Sequence, residues 1–105
     1  MSSIERTNIP KTTRALLALQ AAELIEGDRD REYGDPAVNM ACAAGLKAVV
    51  ARYAQRKLAP TEKEALDMLL SKISRSVTGK PKADTFVDII GYAAIYGEQA
   101  LKNDA

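Results

Sequence analysis

The sequence predicts an all-α fold, a bundle-like arrangement of four antiparallel helices. Three observations carry that expectation. Apolar residues recur at helical spacing in four separate stretches. Gly27, Gly34, Pro36, Pro60, Gly79 and Pro81 punctuate the boundaries between them. No stretch alternates apolar and polar residues as a half-buried strand would. The connections are short, and short helix–helix connections make antiparallel neighbours.

Residues 1–11 read as a polar arm closed by Pro10, and residues 12–105 as one all-α domain. The first helix is expected over about 13–26. Thr12 or Thr13 caps it and Gly27 stops it in a left-handed conformation. Its apolar residues run around most of its circumference, which predicts contacts on more than one side. Residues 27–36 are a charged, glycine-bearing loop in which Tyr33 is out of place.

The second helix is expected over about 36–58. Asp35 is its N-cap and Pro36 its first residue, where a missing N–H costs nothing. Cys42, Leu46, Val49, Val50 and Tyr53 share one face, and the amide of Asn39 falls on it too. A buried amide must find hydrogen-bond partners. The third helix is expected over about 62–78. Thr61 and Glu64 form its capping box, and Leu66, Leu69, Leu70, Ile73 and Val77 its apolar stripe. Gly79 ends it in the same left-handed way as Gly27.

The fourth helix is expected over about 83–102. Phe86, Ile90, Ala93, Gly97 and Leu101 form its apolar face. Asp84, Asp88, Tyr92 and Ile95 stand opposite, where a surface helix should be polar. Both faces are therefore expected to be partly covered, one by the core and one by a site or a second subunit.

Composition removes many functions. The 105 residues include no His, so neither a Ser-His-Asp nor a Cys-His catalytic set can form, and there is no imidazole metal ligand. A single Cys permits no internal disulfide and no thiolate zinc site. Cys42, among alanines and without a base, reads as a small core residue. A net charge of +1 predicts neither duplex nucleic acid nor an anionic membrane as partner. No stretch has the length of a membrane span and the first twenty residues lack an apolar h-region, so a cytoplasmic protein is expected.

The chemistry left to the chain lies in three clusters. Arg29 and Tyr33 occupy the charged loop, with Asn39 just beyond. The arginine fork suits phosphate or carboxylate. Lys72 and Arg75 are neighbouring cations, three residues apart on the third helix. Asp84 and Asp88 stand side by side on the fourth, a repulsive spacing that calls for a cation, with Tyr92 extending the stripe. Glu64 and Asp67 form a further acidic pair, which with Asp84 and Asp88 could hold Mg²⁺ through oxygen ligands.

The motifs Gly27-Asp28-Arg29-x-x-x-Tyr33-Gly34-Asp35-Pro36-x-x-Asn39, Lys72-x-x-Arg75 and Asp84-x-x-x-Asp88-x-x-Gly91-Tyr92 together resemble a domain family of unknown function found in phages and prophages. The resemblance covers about residues 22–98 and implies an association with phage genomes. It is distantly similar to the all-α nucleoside triphosphate pyrophosphohydrolases, which hold Mg²⁺ with carboxylates from consecutive helices. Glu64 and Asp67 do not match the family's pattern.

The function expected from these residues is a phage or prophage accessory protein that binds a small phosphorylated, nucleotide-like ligand without turnover and requires no cofactor. Arg29, Lys72 and Arg75 would hold phosphate. Tyr33 and Tyr92 would bound or stack on a base. Asn39, Asp84 and Asp88 would hydrogen-bond sugar or base edges, or orient the cations. Three alternatives stand beside it. One is a Mg²⁺-dependent nucleotide pyrophosphohydrolase, and another a phage protein that binds a host protein. The third is a salt-bridge network that only fixes the loop onto helices three and four. A homo-oligomer is expected under each functional reading.

Overall fold

The computed structural model describes residues 11–27 and 34–104. Nearly all of the polar arm expected over 1–11, and loop residues 28–33, lie outside this range. Among the described residues there are four helices and no strand: α1 (Thr13–Glu26), α2 (Pro36–Tyr53), α3 (Pro60–Thr78) and α4 (Ala83–Asp104). The fold is all-α as predicted. By their internal contacts the residues form two units, Met1–Asp30 and Arg31–Ala105.

The first unit contains α1. The Thr12 hydroxyl accepts from the Ala15 N–H at 3.2 Å, so Thr12 is the N-cap. Gly27 ends the helix at φ −91°, not in the left-handed conformation expected for it. Every described residue of α1 is exposed, its leucines included.

In the second unit α3 is the middle helix and packs against both α2 and α4. Contacts from Asn39 to Ser74 and from Thr61 to Asn103 show that successive helices run antiparallel. Asp35 caps α2 as expected, its Oδ1 accepting from the Ala37 N–H at 2.9 Å.

The other end of α2 departs from expectation. The helix stops at Tyr53, not near residue 58, and α3 starts at Pro60. Residues 54–59 are extended where they meet the helices, and Glu62 gathers this connection. Arg56 Nη2 donates to Glu62 Oε2 at 2.7 Å, and the Ala59 N–H donates to Glu62 Oε1 at 3.1 Å. Gln55 Nε2 caps the last turn of α2 through the Tyr53 carbonyl at 3.1 Å. Glu62 thus takes the N3 capping role expected of Glu64, with Ala59 as N-cap and Pro60 as N1. Pro60 forces Ala59 into extended backbone, which places the helix start before Thr61.

Two further expectations are corrected. Gly79 is extended at φ −135°, so it does not end α3 in a left-handed turn. Gly34 is the positive-φ glycine among the described residues, at 78°. The faces of α4 also differ from expectation. Thr85, Asp88, Ile89, Tyr92, Tyr96 and Gln99 form the covered face, while Phe86, Ile90, Ala93 and Leu101 are exposed. Asp88 and Tyr92 thus lie on the covered side, whereas Asp84 and Ile95, expected beside them, are exposed.

The core is small. Among the described residues Ala65 and Leu70 are the buried hydrophobic ones, joined by the buried polar residues Glu62, Ser74 and Thr85. On α2, Cys42, Leu46 and Val50 are half-buried, whereas Val49 and Tyr53, expected beside them, are exposed. Val77, expected on the α3 stripe, is 72% exposed. No helix among the described residues is long and apolar enough to cross a membrane.

Candidate functional site

The site is built where α2 and α3 cross. Ser74, fully buried, places its Oγ 2.7 Å from Asn39 Oδ1 and 2.9 Å from the Asn39 carbonyl oxygen. Its one proton serves one of these oxygens at a time. Thr78 Oγ1 lies 3.4 Å from Asn39 Oδ1 and donates to the Ser74 carbonyl at 3.1 Å. The amide expected to need partners on the apolar face of α2 therefore finds them one helix away.

Gly34 belongs to the same joint. A Cβ at this position would collide with the Thr78 carbonyl and approach the Gly79 Cα to 3.4 Å. The backbone at Gly34 lies close against the C-terminus of α3. Gly34, Asn39, Ser74 and Thr78 fasten the start of α2 to the end of α3.

Beside this joint runs a groove of about 430 Å³ along the α2–α3 interface. Asn39, Lys72 and Arg75, three of the residues singled out from sequence, line it. Lys47 and Ser71 join them, and Met40, Ala43, Ala44 and Met68 supply apolar wall. Among the described residues no carboxylate lines the groove. Lys47 lies eight residues beyond Asn39 on α2, which separates them by about 12 Å along the helix. The cations are thus distributed along a channel rather than gathered at one point.

Lys72 also binds across to α4, its Nζ 3.1 Å from Asp88 Oδ2. Asp88 thereby meets the cation that its spacing from Asp84 demanded. Asp84 is exposed and forms no ion pair with a described residue. Tyr92 and Asp88 border a different, shallow depression on α4 with Val87, Gly91 and Ile95. Asp84 and Tyr92 are therefore not brought into the cationic groove. Arg29 and Tyr33 lie outside the described residues.

Asp67 is engaged on the surface, where Lys63 Nζ stands 2.7 Å from its Oδ2. The hydrogen bond and charge of Asp67 hold the Lys63 ammonium above its ordinary pKa. Among the described residues no three carboxylate, thiol or imidazole groups converge in a way that could hold a metal ion. The four-carboxylate arrangement considered for Mg²⁺ is not assembled, because Asp67 and Asp88 each turn to a lysine.

A family model for a domain of unknown function, DUF6378, matches residues 16–100. The chain belongs to this family. No curated protein and no solved structure matches it. The family description assigns no reaction, so the chemistry of this DUF6378 domain has to be read from its own residues.

Three features of the domain were not found by reading its sequence. Lys47 sits on a helix where a lysine every few turns is ordinary, and only the crossing of α3 turns it into a groove. Ser74 and Thr78 are four residues apart on one face of α3, a spacing that becomes informative only opposite Asn39. Glu62 was hidden by the competing Thr61–Glu64 box. Pro60 was the available signal, since a proline at N1 makes residue 62 the N3 position.

Proposed function

We propose that this DUF6378 domain is a phage or prophage accessory protein that binds a small phosphorylated, nucleotide-like ligand in the α2–α3 groove without turnover. The observation that carries this reading is the composition of the groove. Among the described residues it has cations at three positions, Lys47, Lys72 and Arg75, hydrogen-bonding groups on Asn39 and Ser71, and methionines against which a flat base can lie. The Lys72–Asp88 contact supports the same reading, because Lys72 lines the groove while it is held in place by α4. The phage association rests on the three spaced motifs.

Lys47, Lys72 and Arg75 hold phosphate, and Asn39 and Ser71 orient the ligand. Asp88 positions Lys72. Calorimetric titration with a panel of nucleotides and cyclic nucleotides tests the proposal. At least one should release heat, and Arg75→Gln or Lys72→Gln should weaken its binding about tenfold or more. No heat from any member of the panel overturns the proposal. Pyrophosphate release from a nucleoside triphosphate with Mg²⁺, abolished by Asp88→Asn, overturns the absence of turnover.

A further inference from the structure

Among the described residues of the second unit, the outer face of α4 is left exposed. Val87 is 65%, Ile90 70% and Leu101 76% exposed, and Phe86 is nearly half exposed. Ala93, Ala94 and Gly97 complete this face by helical angle. A face this apolar is suited to docking a partner.

The sequence of the face says which molecule. Its residues are arranged nearly symmetrically about Ala93 and Ala94. Phe86 and Leu101 lie seven residues out on either side, and Ile90 and Gly97 three. Small residues at the centre permit close approach, and Ile90 opposite Gly97 fits a projection against a gap. Charge follows the same symmetry. Asp84 in the first turn and Lys102 in the last are both exposed. They are eighteen residues, five full helical turns, apart and so lie on the same flank of the helix. When two copies run antiparallel about a two-fold axis near Ala93, Asp84 of each copy meets Lys102 of the other, twice per pair.

We propose that the outer face of α4 docks a second copy of this chain, forming an isologous antiparallel α4–α4 interface. This interface is independent of the α2–α3 groove, so it stands or falls apart from ligand binding.

Sedimentation equilibrium of the full chain tests it. The expected species has twice the 11.3 kDa chain mass. Ile90→Asp should return a monomer, with helical circular dichroism retained because Ile90 makes little contact within its own chain. Lys102→Glu, an exposed change, should raise the dimer dissociation constant about tenfold by opposing two acids at each end. Adding Asp84→Lys should restore the dimer. A monomeric wild-type chain overturns the proposal, as does a dimer indifferent to Ile90→Asp. Failure of the double exchange to restore association overturns the antiparallel arrangement.

Discussion

Asn39 on α2 and Ser74 on α3 are joined side chain to side chain at 2.7 Å, 35 residues apart in the chain and at the point where the two helices fasten together. Ser74 is fully buried, so its hydroxyl has no water to fall back on. Ser74→Ala should lower stability by about 1–3 kcal/mol, because the Asn39 oxygens lose their buried donor. Urea denaturation measures it. Asn39→Ala should cost a similar amount, and the double variant less than the sum of the two.

Gly34 sits against that joint in a left-handed conformation. Gly34→Ala meets two obstacles, the unfavourable φ and the Thr78 carbonyl, which is backbone and cannot turn aside. The expected loss is at least about 1–2 kcal/mol, read as a lower thermal midpoint. An alanine that is tolerated without change would show that the start of α2 does not press on the end of α3.

Acid should weaken the α2–α3 connection through Glu62. The hydrogen bond from Arg56 and then the one from the Ala59 N–H hold its carboxyl below the ordinary value of 4.5. A carboxylate whose pKa is lowered by folding contributes stability that is fully present above the unfolded value. That contribution is lost as pH falls through the folded one. Denaturation midpoints measured from pH 7 downwards should drop below about pH 4.5, and Glu62→Gln should flatten that part of the profile while lowering stability at pH 7.

The Lys72–Asp88 pair should behave differently. The Asp88 side chain is 44% exposed and that of Lys72 22%, so water screens the attraction. Asp88→Asn should change stability by no more than about 1 kcal/mol. Its consequence should instead appear in ligand titrations. With Lys72 no longer tethered to α4, the affinity lost on Lys72→Gln should be smaller in the Asp88→Asn background than in the wild type.

Asp67 provides a contrast. Its pair with Lys63 is an i,i+4 contact on the surface of α3. Asp67→Ala should move stability by about 0.5 kcal/mol or less and leave ligand binding unchanged. A large effect of this substitution on either property would return Asp67 to the candidate site.

Local chemistry determined the four helices and most of their ends. Thr12 and Asp35 cap where short polar side chains precede a helix, and Pro36 starts α2, because each of these effects acts within one turn. The candidate residues Asn39, Lys72, Arg75 and Asp88 were also legible, since an amide on an apolar face and paired like charges are conflicts visible along a single helix. How those conflicts are resolved depended on residues far away in the chain. Ser74 answers Asn39, Lys72 answers Asp88, and Arg56 pairs with the Glu62 that caps the start of α3. The same holds for the faces of α4. A hydrophobic pattern marks which residues avoid water, but with apolar residues on both sides it does not tell which side meets α3. Packing placed Thr85, Asp88 and Tyr92 inward and left Phe86, Ile90 and Leu101 outside, because side-chain shape against a particular neighbour is a property of the pair of helices and not of either one.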